Sequence, residues 1–144
     1  MRYEKVTFLQ HIIETLQLKD VVAVHARAEE LAHKPEYRAA FDVVTARAVA
    51  ALPMLLEYAA PYCRVGGQIV LLKKGQITEE LARGKRAAKQ VRASLKGDIV
   101  VNLEGLNDDR HLLIWEQQKS CPLQFPRSSS QIAKKPLGET AAGR

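Results

Sequence analysis

The sequence has few cysteines and no long hydrophobic run. It is 144 residues long, and Cys63 and Cys121 stand far apart, with no CxxC pair and no histidines at ligand spacing. We therefore expect no structural zinc site and no disulfide framework, and a reducing cytoplasm is the default compartment. No apolar run approaches the roughly 18–20 residues that span a bilayer. Residues 1–5 contain an acid and no apolar segment, so we expect no signal peptide.

Glycine-rich loops and nucleophilic triads are also missing. Gly66-Gly67 is the only pair of adjacent glycines, and an apolar, strand-like run follows it. A phosphate-binding loop needs glycines that lead from a strand into a helix. An unrelated nucleotide-binding α/β domain is therefore disfavoured, because it would need such a loop. No Ser-His-Asp or Cys-His arrangement is apparent.

The composition and charge indicate a globular protein with a basic second half. Hydrophobic residues make up 47% and charged residues 26% of the chain, which is one domain by length. There are 22 basic and 16 acidic side chains, and residues 73–144 contain the whole excess, with 14 basic and 8 acidic ones. A local positive field favours a polyanionic partner such as nucleic acid. A solvated basic surface without a partner is equally open.

Hydrophobic periodicity predicts alternating helices and strands. The predicted helices cover residues 4–17, 28–33, 52–60 and 78–95, and the predicted strands cover residues 21–24, 41–46, 68–72, 98–103 and 111–115. This order is typical of an open α/β sheet of mostly parallel strands, with the last two antiparallel because their connection is short. The series begins with a helix, so we expect the fold to lack a strand at its front.

Local signals add finer expectations. The apolar run from Phe41 to Ala46 suggests a strand buried on both faces. Gly66-Gly67 predicts a turn, and Thr78 is a candidate N-cap. From Ser120 the chain is polar and rich in Ser, Pro and Lys, so residues 1–119 are predicted to form the domain and residues 120–144 a flexible basic tail.

Several short segments resemble one known family in their order and spacing. They are Lys5 to Leu9, Arg27-Ala28-Glu29-Glu30, Phe41 to Ala48, Leu72 to Gly75, Arg110-His111-Leu112, Phe125-Pro126-Arg127 and Ala133 to Leu137. Together they resemble the bacterial 16S rRNA guanine-N7 methyltransferase G family, also called the glucose-inhibited division protein B family. The resemblance implies a Rossmann-like α/β fold that uses S-adenosyl-L-methionine. Helices would cover both faces of its sheet, and the last strand would be antiparallel.

Two family features have no counterpart in this sequence. The Gly-x-Gly-x-Gly turn after the first strand is missing, and so is the acidic residue that ends the second strand. Three explanations stay open: a start assigned too late, a fragment, or a remnant that has lost cofactor binding. We expect this chain alone to bind S-adenosyl-L-methionine weakly or not at all. The family is monomeric, but apolar side chains of the first helix would lack their cover, so self-association is a further expectation.

The resemblance also implies site residues. Ala28 and Glu29 match positions that contact the adenosine part of the cofactor. Arg47 matches a cofactor-binding arginine, although it could instead pair with Asp42 or Glu57.

The remaining candidates are basic residues for RNA phosphate or for ordering the pocket. They are Arg27, Lys74, Arg110, Lys85, Lys89 and Arg92. Ordinary surface charge is the alternative for each of them.

The implied reaction needs no general base. Guanine N7 is an unprotonated lone pair near neutral pH, and the sulfonium methyl is activated by its own positive charge. The enzyme aligns and desolvates the two partners. An arginine that held both O6 and N7 of guanine would mask the nucleophile. No metal is expected, since the histidines show no ligand spacing. The alternative function is a non-catalytic RNA-binding remnant of the same fold.

Overall fold

The computed structural model describes residues 2–47, 50–106 and 108–139. In chain order, its elements are α1 (Tyr3–Thr15), α2 (Ala28–Leu31), β1 (Phe41–Arg47), α3 (Leu52–Ala59), a 3-10 turn (Ala60–Tyr62), β2 (Cys63–Lys74), α4 (Thr78–Val91), β3 (Ala93–Val101), β4 (Arg110–Gln117) and α5 (Ser129–Lys134). In these residues, no helix combines the length and the apolar character needed to cross a membrane.

The four strands form one sheet in the order β1-β2-β4-β3. β1 pairs with β2 in parallel, whereas β4 runs antiparallel to both of its neighbours. Strands β1, β2 and β3 therefore point the same way, and the last strand is inserted between two of them in the opposite direction. This mixed α/β sheet confirms the predicted class and is consistent with a Rossmann-like methyltransferase fold.

The core lies between α3, α4 and one face of the sheet. Ile69 lies opposite Trp115 in the β2–β4 register, and Leu71 lies opposite Leu113, so all four share a face and are fully buried. Small residues on α4 let the helices approach closely. A Cβ added at Gly84 would lie 3.3 Å from the Cβ of Leu52 on α3. The core therefore depends on this close contact between α3 and α4.

The prediction that β1 is buried on both faces is wrong. Phe41 and Val43 are 41% and 52% exposed. Among the described strands, β1 pairs only with β2, so it is an edge strand. An apolar run does not reveal whether a second strand pairs with it on its other side.

Two further local predictions fail. Residues 21–24 form no strand, and Val22 is 81% exposed. β-branched residues favour a strand only where a neighbouring strand pairs with them, and no described strand does so here. The predicted turn at Gly66-Gly67 lies inside β2, where the pairing with β1 is irregular. A Cβ at Gly67 would lie 2.8 Å from the carbonyl oxygen of Asp42, so only glycine fits this close approach.

Helix α4 differs from its prediction at both ends. Thr78 is the first helical residue and Ile77 occupies the N-cap position, where no side chain caps the helix. The helix ends at Val91 because Arg92 adopts a left-handed conformation with φ 65°. Leu95, predicted as the end of this helix, lies in β3.

The segment predicted as a flexible tail packs against the domain as far as residue 139. Cys121, Phe125, Ile132 and Leu137 are buried. A capping box between Ser128 and Gln131 begins α5. We call residues 120–139 the C-terminal arm. The boundary at residue 119 stays a prediction, and Ala48 and residues 140–144 lie outside the described parts of the chain.

Candidate functional site

A cavity of about 910 Å³ opens at the carboxyl end of β1. One wall is the segment from His25 to Glu29, the second is the end of β1, and the third is a face of α3. This is the edge at which open α/β sheets bind their ligands. Four predicted site residues line this one cavity: Arg27, Ala28, Glu29 and Arg47.

The first wall is fixed by short contacts around α2. Tyr62 donates a hydrogen bond from its hydroxyl to the carbonyl oxygen of Ala28 at 2.6 Å. The carboxylate of Glu29 lies 3.5 Å from Nη1 of Arg27, and the side chain of Glu29 is only 11% exposed. Glu29 therefore offers a largely buried acceptor at the wall, while Arg27 is mostly exposed.

The wall formed by α3 is apolar and aromatic. Met54, Tyr58 and Ala59 line the cavity from α3, and Tyr62 follows them in the 3-10 turn. Burial is the main cause that raises the pKa of both tyrosines, and the Glu29 carboxylate adds to it. Both hydroxyls therefore stay protonated near neutral pH, and that of Tyr62 already donates to Ala28. These residues suit the flat apolar face and polar edge of a purine ring.

The two carboxylates that were the alternative partners of Arg47 are both paired with other arginines. Asp42 is paired with Arg64 at 2.6 Å, and Glu57 is paired with Arg127 at 2.8 Å. Within the described residues, no carboxylate forms an ion pair with Arg47. Since it is exposed at the end of β1, its charge is available to a ligand.

Sequence reasoning missed Met54, Tyr58, Tyr62 and Ser129, which also line the cavity. The spacing of Met54 and Tyr58, four residues apart on a helix that follows a strand end, is a signal that could have found two of them. Ser129 comes from the C-terminal arm, and no local pattern relates it to β1.

Lys74 and Arg110 lie outside this cavity and form a separate exposed cluster with Asp108. They are opposite each other in the β2–β4 register. Arg110 holds Asp108 at 2.8 Å, and Nζ of Lys74 lies 3.3 Å from the same carboxylate. The hydrogen bond from Arg110 is the main cause that lowers the pKa of Asp108. Two cations share one anion, so the cluster keeps one positive charge.

The basic residues of α4 are in different surroundings. Lys85 lines a second cavity of about 550 Å³, together with the His111–Asp98 pair, whose Nδ1 to Oδ1 distance is 2.8 Å. Lys89 is exposed. Arg92 donates to the carbonyl oxygen of Ser120 at 3.2 Å, so part of its role is structural. In the described residues, no group of three or more His, Cys, Asp or Glu side chains is arranged to hold a metal ion.

The sequence profile of GidB, described as rRNA small subunit methyltransferase G, matches residues 2–113. The chain belongs to this family. It is 40% identical over 134 residues to Ribosomal RNA small subunit methyltransferase G of Clostridium perfringens (strain SM101 / Type A), a match that covers 93% of this chain and 56% of the relative. The protein of that name from Desulfitobacterium hafniense (strain Y51) shows the same identity and coverage.

A more distant match shows the same relation between the lengths. Ribosomal RNA small subunit methyltransferase G of Leuconostoc mesenteroides is 34% identical, again over 93% of this chain and 56% of the relative. This GidB-family chain thus spans a little over half the length of the curated relatives it matches. The family expected from the short motifs is confirmed.

Proposed function

We propose that this chain is part of an S-adenosyl-L-methionine-dependent methyltransferase that modifies guanine N7 in 16S ribosomal RNA in the bacterial cytoplasm. The observation that carries the proposal is the single cavity that brings Arg27, Ala28, Glu29 and Arg47 together at the carboxyl end of β1. The family and the names of the relatives support the class of reaction.

The residues present fit the adenosine end of the cofactor. Glu29 is a largely buried acceptor for an exocyclic amine, and the α3 wall with Met54 and Tyr58 suits the ring face. Arg47 adds a positive charge with no ion-pair partner among the described residues. When bound, the cofactor supplies an activated methyl group. The task of these side chains is to orient it and to exclude water from its adenosine end.

The rest of a cofactor site has no counterpart in this sequence. The sequence contains neither the glycine-rich turn nor the acidic residue that the family uses to bind the ribose. We propose that the part of the longer relatives outside the match supplies these groups. Weak or absent cofactor binding by this chain alone is therefore part of the proposal.

The basic residues outside the cavity are proposed to contact the RNA backbone. The cluster of Lys74 and Arg110 keeps one positive charge, and Lys85 and Lys89 are two cations on α4. Such contacts give affinity that depends on salt and little on sequence. Arg92 contributes less, because its guanidinium is already bonded to the arm.

A second candidate function is an RNA-binding remnant with no catalytic activity. The basic residues of α4 favour it, because Lys89 and Arg92 do not line the cofactor cavity. This candidate predicts RNA binding that is insensitive to changes at Glu29 or Arg47.

The two candidates separate in one experiment. The part of the Clostridium perfringens relative outside the match is joined upstream of this chain, and methyl transfer from S-adenosyl-L-methionine to small ribosomal subunits is measured. We expect activity that Arg47→Gln abolishes and that Arg64→Gln, a change at an exposed arginine paired with Asp42, leaves intact. RNA binding without methyl transfer would favour the remnant, and the loss of both would contradict both functions.

A further inference from the structure

The C-terminal arm contacts α3, which forms one wall of the candidate cofactor cavity, and residues 33–38, which follow the wall formed by residues 25–29. It crosses from the region of α2 to α3 and places Ser129 in the cavity lining. The arm is therefore more than a cover for the core, because its contacts reach the segments that carry Glu29 and Tyr58.

The contact with the α3 wall is a buried ion pair. Glu57 is fully buried and precedes Tyr58, which lines the cavity. Its carboxylate accepts hydrogen bonds from Nε and Nη2 of Arg127, at 2.9 and 2.8 Å, and from the backbone N–H of Arg127 at 2.9 Å. A bidentate pair with a third bond fixes both position and orientation.

The contact with the α2 wall uses the segment that follows α2. Nε2 of His33 lies 2.8 Å from the carbonyl oxygen of Pro126. Arg38 donates to the carbonyl oxygens of Phe125, Cys121 and Pro122, the last two at 3.2 and 2.9 Å. One guanidinium thus holds three carbonyls of the arm.

Two hydrogen bonds also tie this region directly to the 3-10 turn that follows α3. The backbone N–H of Ala39 donates to the carbonyl oxygen of Pro61, and Tyr62 donates to Ala28. The segment 28–39 belongs to no strand, so no ladder fixes its distance from α3. His33 and Arg38 hold residues 121–126 of the arm, and Glu57 holds the next residue, Arg127, so this part of the arm links the segment after α2 to α3.

We propose that the C-terminal arm is a clamp that fixes the separation of the two cavity walls, with Arg38 and Arg127 as positioning residues and Ser129 as a wall residue for an adenosine-bearing ligand. The ligand part rests on the proposed function, whereas the clamp itself does not. Adenosine is the appropriate probe, because the residues present fit that end of the cofactor.

Amide hydrogen exchange of the full chain tests the clamp without a ligand. Arg127→Met should speed exchange at the backbone amides of residues 30–38 by about tenfold or more beyond the change in β2 and β4, which reports the loss of global stability. Lys134→Met, at an exposed position on α5 of the same arm, should leave exchange unchanged. If Arg127→Met fails to fold, Arg38→Gln keeps the Glu57–Arg127 pair and should give the same local pattern. Unchanged exchange at residues 30–38 in a folded Arg127 or Arg38 variant would overturn the clamp.

Adenosine binding tests the role of Ser129 as a wall residue, and the neighbouring Ser130 provides the matched control. Ser129→Leu should weaken adenosine binding at least about tenfold, because the larger side chain enters the cavity. Ser130→Leu, on the same turn but outside the lining, should not. Equal effects of the two changes would contradict the role of Ser129. Absence of adenosine binding to the unaltered chain would contradict the role of Ser129 as a wall residue and would leave the proposed function intact, while the exchange experiment would still decide the clamp.

Discussion

Removal of either partner of the Glu57–Arg127 pair should destabilise the fold more than removal of both. Glu57 is fully buried, and its carboxylate accepts from both Nε and Nη2 of Arg127. The hydrogen bond that Arg127 donates to Glu57 is also the main cause that raises the pKa of Arg127. Arg127 therefore keeps its charge through the neutral range. Three variants test this prediction: Arg127→Leu, Glu57→Leu and the variant that carries both changes.

The magnitudes follow from what each change leaves buried. Arg127→Leu leaves a carboxylate without a countercharge, which costs about 3–5 kcal/mol of unfolding free energy. The double change replaces the ions with apolar side chains, an exchange that is often close to neutral. It also leaves the backbone N–H of Arg127 without its acceptor, at a cost of about 1–3 kcal/mol. The double variant should therefore be more stable than the single Arg127→Leu variant.

Urea unfolding followed by tryptophan fluorescence is the assay. Trp115 is the only tryptophan of the chain and is fully buried in the core, so its emission reports loss of the core. Losses of this size are large against a typical stability of about 5–15 kcal/mol. If Arg127→Leu costs less than about 1 kcal/mol, or if the two single losses add up in the double variant, the arm is not held by a buried pair.

Three further predictions concern other parts of the chain. Burial raises the pKa of the Cys121 thiol from its ordinary 9.0 to about 12. The contribution of the buried thiol to the free energy of unfolding is therefore complete below pH 9 and declines as the pH rises towards 12. The unfolding free energy of the unaltered chain minus that of Cys121→Ala should therefore fall between about pH 8 and about pH 10.5. Gly138→Ala should destabilise the chain by at least about 2 kcal/mol more than Gly75→Ala in the urea assay. Both glycines have positive φ, but only at Gly138 would a Cβ collide with the backbone of α4. A variant that carries both Lys85→Gln and Lys89→Gln should show a weaker salt dependence of RNA binding. The slope of the logarithm of RNA affinity against the logarithm of salt concentration, measured by filter binding, should become shallower by about two.

Sequence patterns predict the elements whose signal is local. The run from Ile69 to Leu72 and the short connection before β4 predict a buried strand and an antiparallel pair, and both are present. Arg47 lies at the cavity because it ends β1 at the ligand-binding edge of the sheet. Arg27, Ala28 and Glu29 reach the cavity from a segment that follows no described strand, and the family motif predicts them. That geometric rule and the short family motifs therefore predict four of the sixteen described residues that line the cavity.

The parts that sequence patterns miss depend on partners distant in the chain. Val22 has the composition of a strand, yet no described strand pairs with that segment. The arm contains many polar residues, but Arg127 finds Glu57 seventy positions away and Phe125 fills a space in the core. The absence of a described strand beside Val22 leaves no mark in the local sequence. The same is true of the buried partner that Arg127 finds in Glu57.

The central claim is that the cavity at the end of β1 is the adenosine half of a cofactor site. Nuclear magnetic resonance titration of the chain with adenosine, and then with S-adenosyl-L-methionine, tests it most directly. We expect shifted amide signals confined to Arg27–Glu29, Arg47 and the facing residues of α3, with affinity for S-adenosyl-L-methionine weaker than micromolar. Shifts at the second cavity around Lys85 and His111 instead, or micromolar binding of S-adenosyl-L-methionine by this chain alone, would contradict the account.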